Sequence, residues 1–177
     1  LFSNARTDWV VRNGTGRNTS EGVEFNANWK PTNSKFDLNF GYTFTDSYDA
    51  STCDPDELAS YADNECRLTG NKVAKAKVRV PRHAVKTNIS YSMNQNLNFF
   101  LKGTYIGETR DFGNTNDSWT DQILTDYLVF DLVNSYNLFD NYKIQIGINN
   151  ILDEKYQQAH EYSTMGRTFN FGLRRVY

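Results

Sequence analysis

Residues 35–45 read Lys-Phe-Asp-Leu-Asn-Phe-Gly-Tyr-Thr-Phe-Thr. Phe36, Leu38, Phe40, Tyr42 and Phe44 take every second place, and Asp37, Asn39, Gly41, Thr43 and Thr45 fill the gaps. A strict period of two sends successive side chains to opposite faces, so this stretch is a strand with one apolar and one polar side. Globular strands average about 5–6 residues, whereas a tilted membrane-crossing strand needs ~9–11. The alternation here holds over a length of the second kind.

The same period recurs on both sides of it. Val23, Phe25, Ala27 and Trp29 alternate with Glu24, Asn26, Asn28 and Lys30. Val85, Ile89, Tyr91 and Met93 form a third set, and Leu97, Phe99, Leu101 and Tyr105 a fourth. Leu128, Phe130, Leu132 and Tyr136 follow, blurred by Val129 and Val133. Tyr142, Ile144, Ile146 and Ile148 come next, and Phe169, Phe171, Leu173 and Tyr177 close the series. A weaker strand over 2–12, through Trp9, Val10 and Val11, brings the expected count to eight, with no long helix.

The connections separate a sandwich from a barrel. Pro31-Thr32-Asn33-Ser34, Asn94-Gln95-Asn96 and residues 137–141 are short and polar, while 46–81, 109–126 and 153–166 are long. Strict alternation of short and long links is the pattern of an up-and-down barrel with tight turns at one rim and large loops at the other. Greek-key sandwiches distribute both lengths over both ends. Aromatic residues cluster near both rims, as in an interfacial girdle. Trp29, Phe36, Tyr91, Phe99, Tyr136, Phe139 and Tyr142 sit by short turns, and Tyr42, Phe44, Tyr105 and Tyr156 by long loops. The fold class is therefore all-β: a transmembrane antiparallel up-and-down β-barrel.

Composition agrees. The chain of 177 residues is 15% aromatic, yet its mean hydropathy is −0.68. No apolar run approaches the ~18 residues of a helical span, and the aromatic content argues against disorder. A net charge of −2 gives no global field for nucleic acid. Charge is segregated along the chain: acids without bases over 46–66, then bases without acids over 67–86, among them Lys72, Lys75, Lys77 and Arg79. Cys53 and Cys66 both fall in the acidic stretch, too far apart for a CxxC motif. A disulfide closing that loop, worth roughly 3 kcal/mol, implies an oxidising compartment; two free thiols are the alternative. Asp54-Pro55-Asp56-Glu57 reads as the capped start of a short helix reaching about residue 62. Asp54 and Asp56 without an EF-hand pattern make calcium the lesser reading, and no metal site is expected. Residues 72–80 alternate charged and apolar, so the next strand begins above the membrane, with Pro81 interrupting its ladder. The chain opens on Leu1 with no signal peptide, which reads as a mature chain or a fragment.

Four motifs in order resemble TonB-dependent outer-membrane receptors. Ser20-Glu21-Gly22-Val23-Glu24 is similar to the segment opening a barrel strand in that family, and Val80-Pro81-Arg82-His83 to one before a later strand. Asn149-Asn150-Ile151-Leu152-Asp153-Glu154-Lys155-Tyr156 resembles the family's Asn-Leu-Phe-Asp-x-x-Tyr, with Leu152 in place of Phe. Gly166-Arg167-Thr168-Phe169 and a terminal aromatic strand follow, departing from the family in Tyr177 for Phe and in Arg175 at a usually apolar place. The resemblance implies that residues 1–177 are the last eight strands of a roughly 22-stranded barrel, with the plug domain and earlier strands absent. It implies active transport of a scarce nutrient chelate. The implied partners are the TonB energy-transducing complex through the missing plug region, the remaining N-terminal part of the receptor, lipopolysaccharide and outer-membrane lipid. Tyr162-Ser163-Thr164-Met165-Gly166-Arg167 resembles a segment of cobalamin (vitamin B12) receptors, so cobalamin is favoured and a ferric siderophore is the alternative.

Arg110, Asp111, Trp119, Tyr162 and Arg167 are the candidate ligand contacts, since aromatic and Arg side chains anchor recognition surfaces. The competing reading is that they order their own loops. An outer-membrane enzyme would need His83 or His160 beside a nucleophile, and neither lies in such a motif, so no catalysis and no cofactor are expected. A complete eight-stranded adhesin or structural barrel is the reading of a third class.

Overall fold

The computed structural model describes residues 18–49, 66–69, 72–115, 118–139 and 141–175. The strands are β1 (Asn18–Trp29), β2 (Phe36–Asp49), β3 (Cys66–Thr69), β4 (Lys72–Ala76), β5 (His83–Ser92), β6 (Leu97–Ile106) and β7 (Thr109–Thr115). They continue with β8 (Ser118–Leu124), β9 (Tyr127–Leu138), β10 (Tyr142–Asn149), β11 (Gln157–Ala159), β12 (Tyr162–Ser163) and β13 (Thr168–Arg175). Among the described residues there is no helix. The expected weak strand at 2–12, the short helix at 54–62 and Cys53, with its pairing to Cys66, lie outside the described residues.

The chain divides into two units, Leu1–Thr19 with Tyr48–Ala76, and Ser20–Ser47 with Lys77–Tyr177. In the larger, the strands run β13-β10-β9-β6-β5-β2, with β1 on the other side of β2. The ladders β13–β10, β10–β9, β9–β6, β6–β5 and β5–β2 are antiparallel. Among the described residues β1 and β13 end the sheet and do not pair with one another, so what is described is an open segment of barrel wall.

Register decides which side chains share a face. Phe36 stands opposite Tyr91, Leu38 opposite Ile89 and Tyr42 opposite Val85. Tyr91 stands opposite Phe99, Ile89 opposite Leu101, and Leu101 opposite Leu132. Leu132 pairs with Ile148, Ile148 with Phe169, and Ile146 with Phe171. One mainly apolar face thus runs across the sheet, interrupted by Asn134 between Phe99 and Ile146 and by Thr87 and Gly103 between Phe40 and Phe130. Its members are half-buried in the middle strands and exposed towards the sides: Phe25 56%, Phe169 73%, Phe171 73%. The other face carries Asn39 opposite Asn88, Lys102 opposite Asp131 and Gln145 opposite Ser135. Hydrogen bonds and ion pairs knit it: Asn28 Nδ2 donates to Asn39 Oδ1 at 2.6 Å, and Lys102 Nζ lies 3.8 Å from Asp131. Val129 and Val133, which blur the pattern of β9, fall on this polar face, opposite Thr104 and Phe100.

Apolar side chains out and polar side chains in is the arrangement of a wall between lipid and a wet lumen. The short links lie at one rim. Asn33 takes a left-handed φ of 61° in the β1–β2 turn, and Asn94 Oδ1 accepts from the N–H groups of Asn96 and Leu97 in the next. Phe36 and Tyr91 pack with centroids 4.5 Å apart beside these turns, where the aromatic girdle is expected. Gly22 allows β1 to close on β2: a Cβ there would run into the Phe44 carbonyl oxygen.

At the opposite rim the strands run further than hydropathy indicates. β2 continues to Asp49, past the last alternating apolar residue, because backbone pairing needs no apolar side chain. In the smaller unit β3 and β4 form a hairpin, and Tyr48 and Asp49 pair with Ala76 and Lys75. A strand does begin at Lys72, but it ends at Ala76 rather than at Pro81: a turn through Arg79, at φ 60°, breaks it first, and Pro81 lies within the gap before β5. Lys77 N–H still bonds Ser47 O, Thr45 N–H bonds Arg82 O, and β5 resumes at His83.

Candidate ligand-binding rim

Three long connections of the larger unit converge at this rim. The first is the break between β4 and β5, where Arg79 holds a left-handed φ of 60°. The second is the β7–β8 hairpin, which the sequence reading took as loop. Thr109 stands opposite Leu124 and Thr115 opposite Ser118. The third is the β10–β13 link with its small β11–β12 ladder.

Asp111 ties all three together. Its side chain is 1% exposed. Arg79 Nε donates to its Oδ1 at 2.9 Å, as does the Phe112 N–H at 2.9 Å. The His160 N–H donates to Oδ2 at 2.7 Å. Arg79 also gives its own N–H to Arg110 O at 2.8 Å. Burial pushes the Asp111 carboxyl up, but the bonds from His160, Arg79 and Phe112 outweigh it and hold its pKa below the ordinary carboxylate value. Gly113 keeps the approach close: a Cβ there would run into the His160 ring.

Arg110 is buried as well, at 5% exposure. Its Nη2 donates to Asp121 Oδ1 across the hairpin at 2.9 Å, and its guanidinium lies 4.7 Å from the Phe112 ring centroid. Arg110 and Asp111, read from sequence as ligand contacts, are thus engaged in ordering their own loops. Trp119 stands opposite Asn114 near the hairpin tip. Tyr162 is 73% exposed, and Arg167 is exposed with its N–H bonded to Asp153 Oδ1 at 2.7 Å. These two flank the third connection and face solvent.

The Asn149–Tyr156 motif is a turn device. Asn150 is buried with φ 52°, and its N–H bonds Asp131 Oδ1 at 2.9 Å. Its side-chain amide donates to Glu154 O and accepts from the Glu154 N–H, both at 2.9 Å. Asp153, with φ 56°, caps the return of the chain at Arg167. Tyr156 stacks on Tyr127 at 4.1 Å, and Thr164 Oγ1 donates to Tyr156 O. Beside them a cleft of about 590 Å³ opens between β8 and the third connection, lined by Gln122, Ile123, Lys155, Tyr156 and His160. Sequence reasoning missed Arg79 and His160 in this cluster, since nothing local links them to Asp111.

His83 Nδ1 lies 2.9 Å from the Tyr42 hydroxyl, and His160 Nε2 lies 3.9 Å from Glu161. Among the described residues no group of three or more His, Cys, Asp or Glu is placed to hold a metal ion.

The family model "TonB dependent receptor-like, beta-barrel" matches residues 1–151. No curated protein matches the chain closely enough to count as a relative. Solved structures do share the fold. The ferripyoverdine receptor of the Pseudomonas aeruginosa outer membrane, solved with ferripyoverdine, superposes with a TM-score of 0.67 at 17% identity over 90% of this chain and 20% of the receptor. The ferric-catecholate import receptor Fiu from Escherichia coli K12 gives 0.66 at 18% identity over 91% and 21%. The siderophore receptor PiuA from Acinetobacter baumannii gives 0.63 at 21% identity over 91% and 22%. The chain spans about a fifth of the length of these receptors. The wall with its apolar outer and polar inner face, the interlocked long-loop rim and the match over residues 1–151 place the chain in the TonB-dependent receptor β-barrel family of the outer membrane.

Proposed function

We propose that the chain is part of a receptor that takes up a ferric siderophore across the outer membrane, with its long-loop rim contributing to capture. The observation that carries this reading is family membership over residues 1–151, joined to a rim held in one arrangement by Asp111. The solved neighbours named above are receptors for iron chelates, which favours the siderophore over cobalamin. The cobalamin preference has only the 162–167 segment behind it. That segment does present Tyr162 to solvent, and cobalamin is kept as the second reading on that ground.

Within this reading Tyr162, Arg167 and Trp119 are the contact residues, and Arg110 and Asp111 position the loops that carry them. A preordered rim binds with less entropy lost on capture. Energy reaches the site through TonB and a plug supplied by the rest of the receptor, and the apolar wall and basic rim meet lipid and lipopolysaccharide. Cys53 and Cys66 staple the acidic loop, which mass mapping of the non-reduced receptor tests. The ligand test is uptake by the intact receptor of iron-55 chelated by hydroxamate or catecholate siderophores, against cyanocobalamin binding. TonB-dependent iron uptake supports the proposal, and cyanocobalamin binding without iron uptake overturns it.

A further inference from the structure

Arg79 is fastened at one end and open at the other. It holds φ 60°, a left-handed conformation that a long side chain rarely takes and that persists only where the surroundings fix it. Its N–H is bonded to Arg110 O at 2.8 Å, and its Nε to Oδ1 of the buried Asp111 at 2.9 Å. Yet its side chain is 57% exposed, and among the described residues Nη1 and Nη2 have no hydrogen-bond partner. Other guanidiniums of this rim are set differently. Arg110 is buried and gives Nη2 to Asp121, and Arg82 gives Nη2 to Asp46 at 2.9 Å. Arg167 is exposed, but among the described residues no hydrogen bond holds its side chain in place. Asp111 also links Arg79 to His160, whose N–H meets the other carboxylate oxygen. His160 lines the cleft of about 590 Å³, a volume in the range of small-molecule sites. That lining includes Lys155 and no Asp or Glu.

From this we infer that Arg79 is a specificity-determining contact of the rim, whose two Nη groups take paired anionic oxygens of a ferric chelate carrying net negative charge. The inference rests on the siderophore reading above and narrows it to anionic chelates. Charge and shape select the occupant, because the end of a guanidinium matches the two oxygens of a carboxylate or a catecholate bidentately. Asp111 is the positioning residue. Its charge sits at Nε, away from the Nη end, and is shared with the N–H groups of Phe112 and His160. A fork already held by its backbone and by Nε loses less entropy when it binds than a freely rotating Arg. The cation and the absence of acids in the cleft lining favour the same sign of ligand.

The experiment is phenylglyoxal modification of the full-length receptor in phosphatidylcholine vesicles, followed by peptide mapping. The reagent bridges two guanidinium nitrogens, so Arg79 is expected to react faster than the buried Arg110. A trianionic ferric tris-catecholate is expected to slow the reaction at Arg79, and an uncharged ferric tris-hydroxamate to leave it unchanged. No reaction at Arg79, equal protection by both chelates, protection by neither, or protection by lipopolysaccharide in place of the anionic chelate overturns the inference. R79Q is expected to weaken tris-catecholate binding about tenfold or more, with R79K restoring only part of the loss. Unchanged affinity in R79Q overturns the inference as well. TonB-dependent uptake of the uncharged chelate alone sustains the siderophore reading and refutes this selectivity. Protection of Arg79 without iron uptake sustains the site and refutes the transport reading.

Discussion

Phe169 and Phe171 on the wall are 73% exposed, while Asp111 at the rim is fully buried. The two regions invert one another. The wall turns apolar side chains outward and keeps its polar pairs, such as Asn28 with Asn39, on the inner face. The rim behaves as a small soluble domain, burying a carboxylate only because three donors meet it. Burial therefore means different things in the two places. In the wall, exposure of a Phe marks the lipid face; at the rim, burial of an Asp marks the point where loops are fastened.

The strongest way to break the comparison is a charge on the outer face. Phe171→Arg, opposite Ile146 near mid-wall, is expected to destabilise the assembled barrel by about 2–4 kcal/mol. Urea unfolding in lipid vesicles measures it. Gly172→Arg, on the inner face, should cost much less; equal losses would contradict the face assignment.

Asp111→Ala acts on the rim alone. It leaves Arg79 and the N–H groups of Phe112 and His160 without their acceptor. A loss of roughly 2–3 kcal/mol of local stability is expected, below the full buried-pair value because Arg79 is half exposed. Hydrogen exchange should accelerate across 109–124 and 157–163 together while β9 and β10 stay protected. Acceleration in only one of the two segments would show that they are not coupled.

Gly113→Ala sharpens the same point with a smaller change. The added methyl meets the His160 ring, and a cost of about 1–2 kcal/mol is expected, read as faster proteolysis in 157–163. Smallest is the effect of acid. Since the Asp111 pKa is lowered on folding, its contribution is complete above the unfolded value of about 3.9 and is lost as pH falls through the folded value. The His160 amide resonance should keep its position down to about pH 4 and shift only below it.

The wall was legible because its chemistry repeats. Phe36 to Phe44 announce both a strand and its outer face, and the register then aligns them with Val85, Ile89 and Tyr91. The rim was not, for a physical reason. Thr-Arg-Asp-Phe-Gly-Asn-Thr in β7 has one large apolar residue and no period, so a strand there is invisible until its partner is placed. From sequence Asp111 stands equally as a candidate ligand contact and as a residue that orders its own loop. Two of its three donors sit 32 and 49 residues away, a distance no local pattern spans. The Asn149–Tyr156 motif lay between these cases: its spacing was visible, and its role as a turn built on Asn150 was not.

The central claim is that alternate residues of the wall face lipid and lumen. The direct test is a single-cysteine spin-label scan over positions 169–174 of β13 in the assembled receptor, with Cys53 and Cys66 replaced by Ser. Oxygen accessibility should peak at 169, 171 and 173, and accessibility to a water-soluble nickel chelate at 170, 172 and 174. Uniform accessibility along the strand, or the opposite phase, would contradict the account.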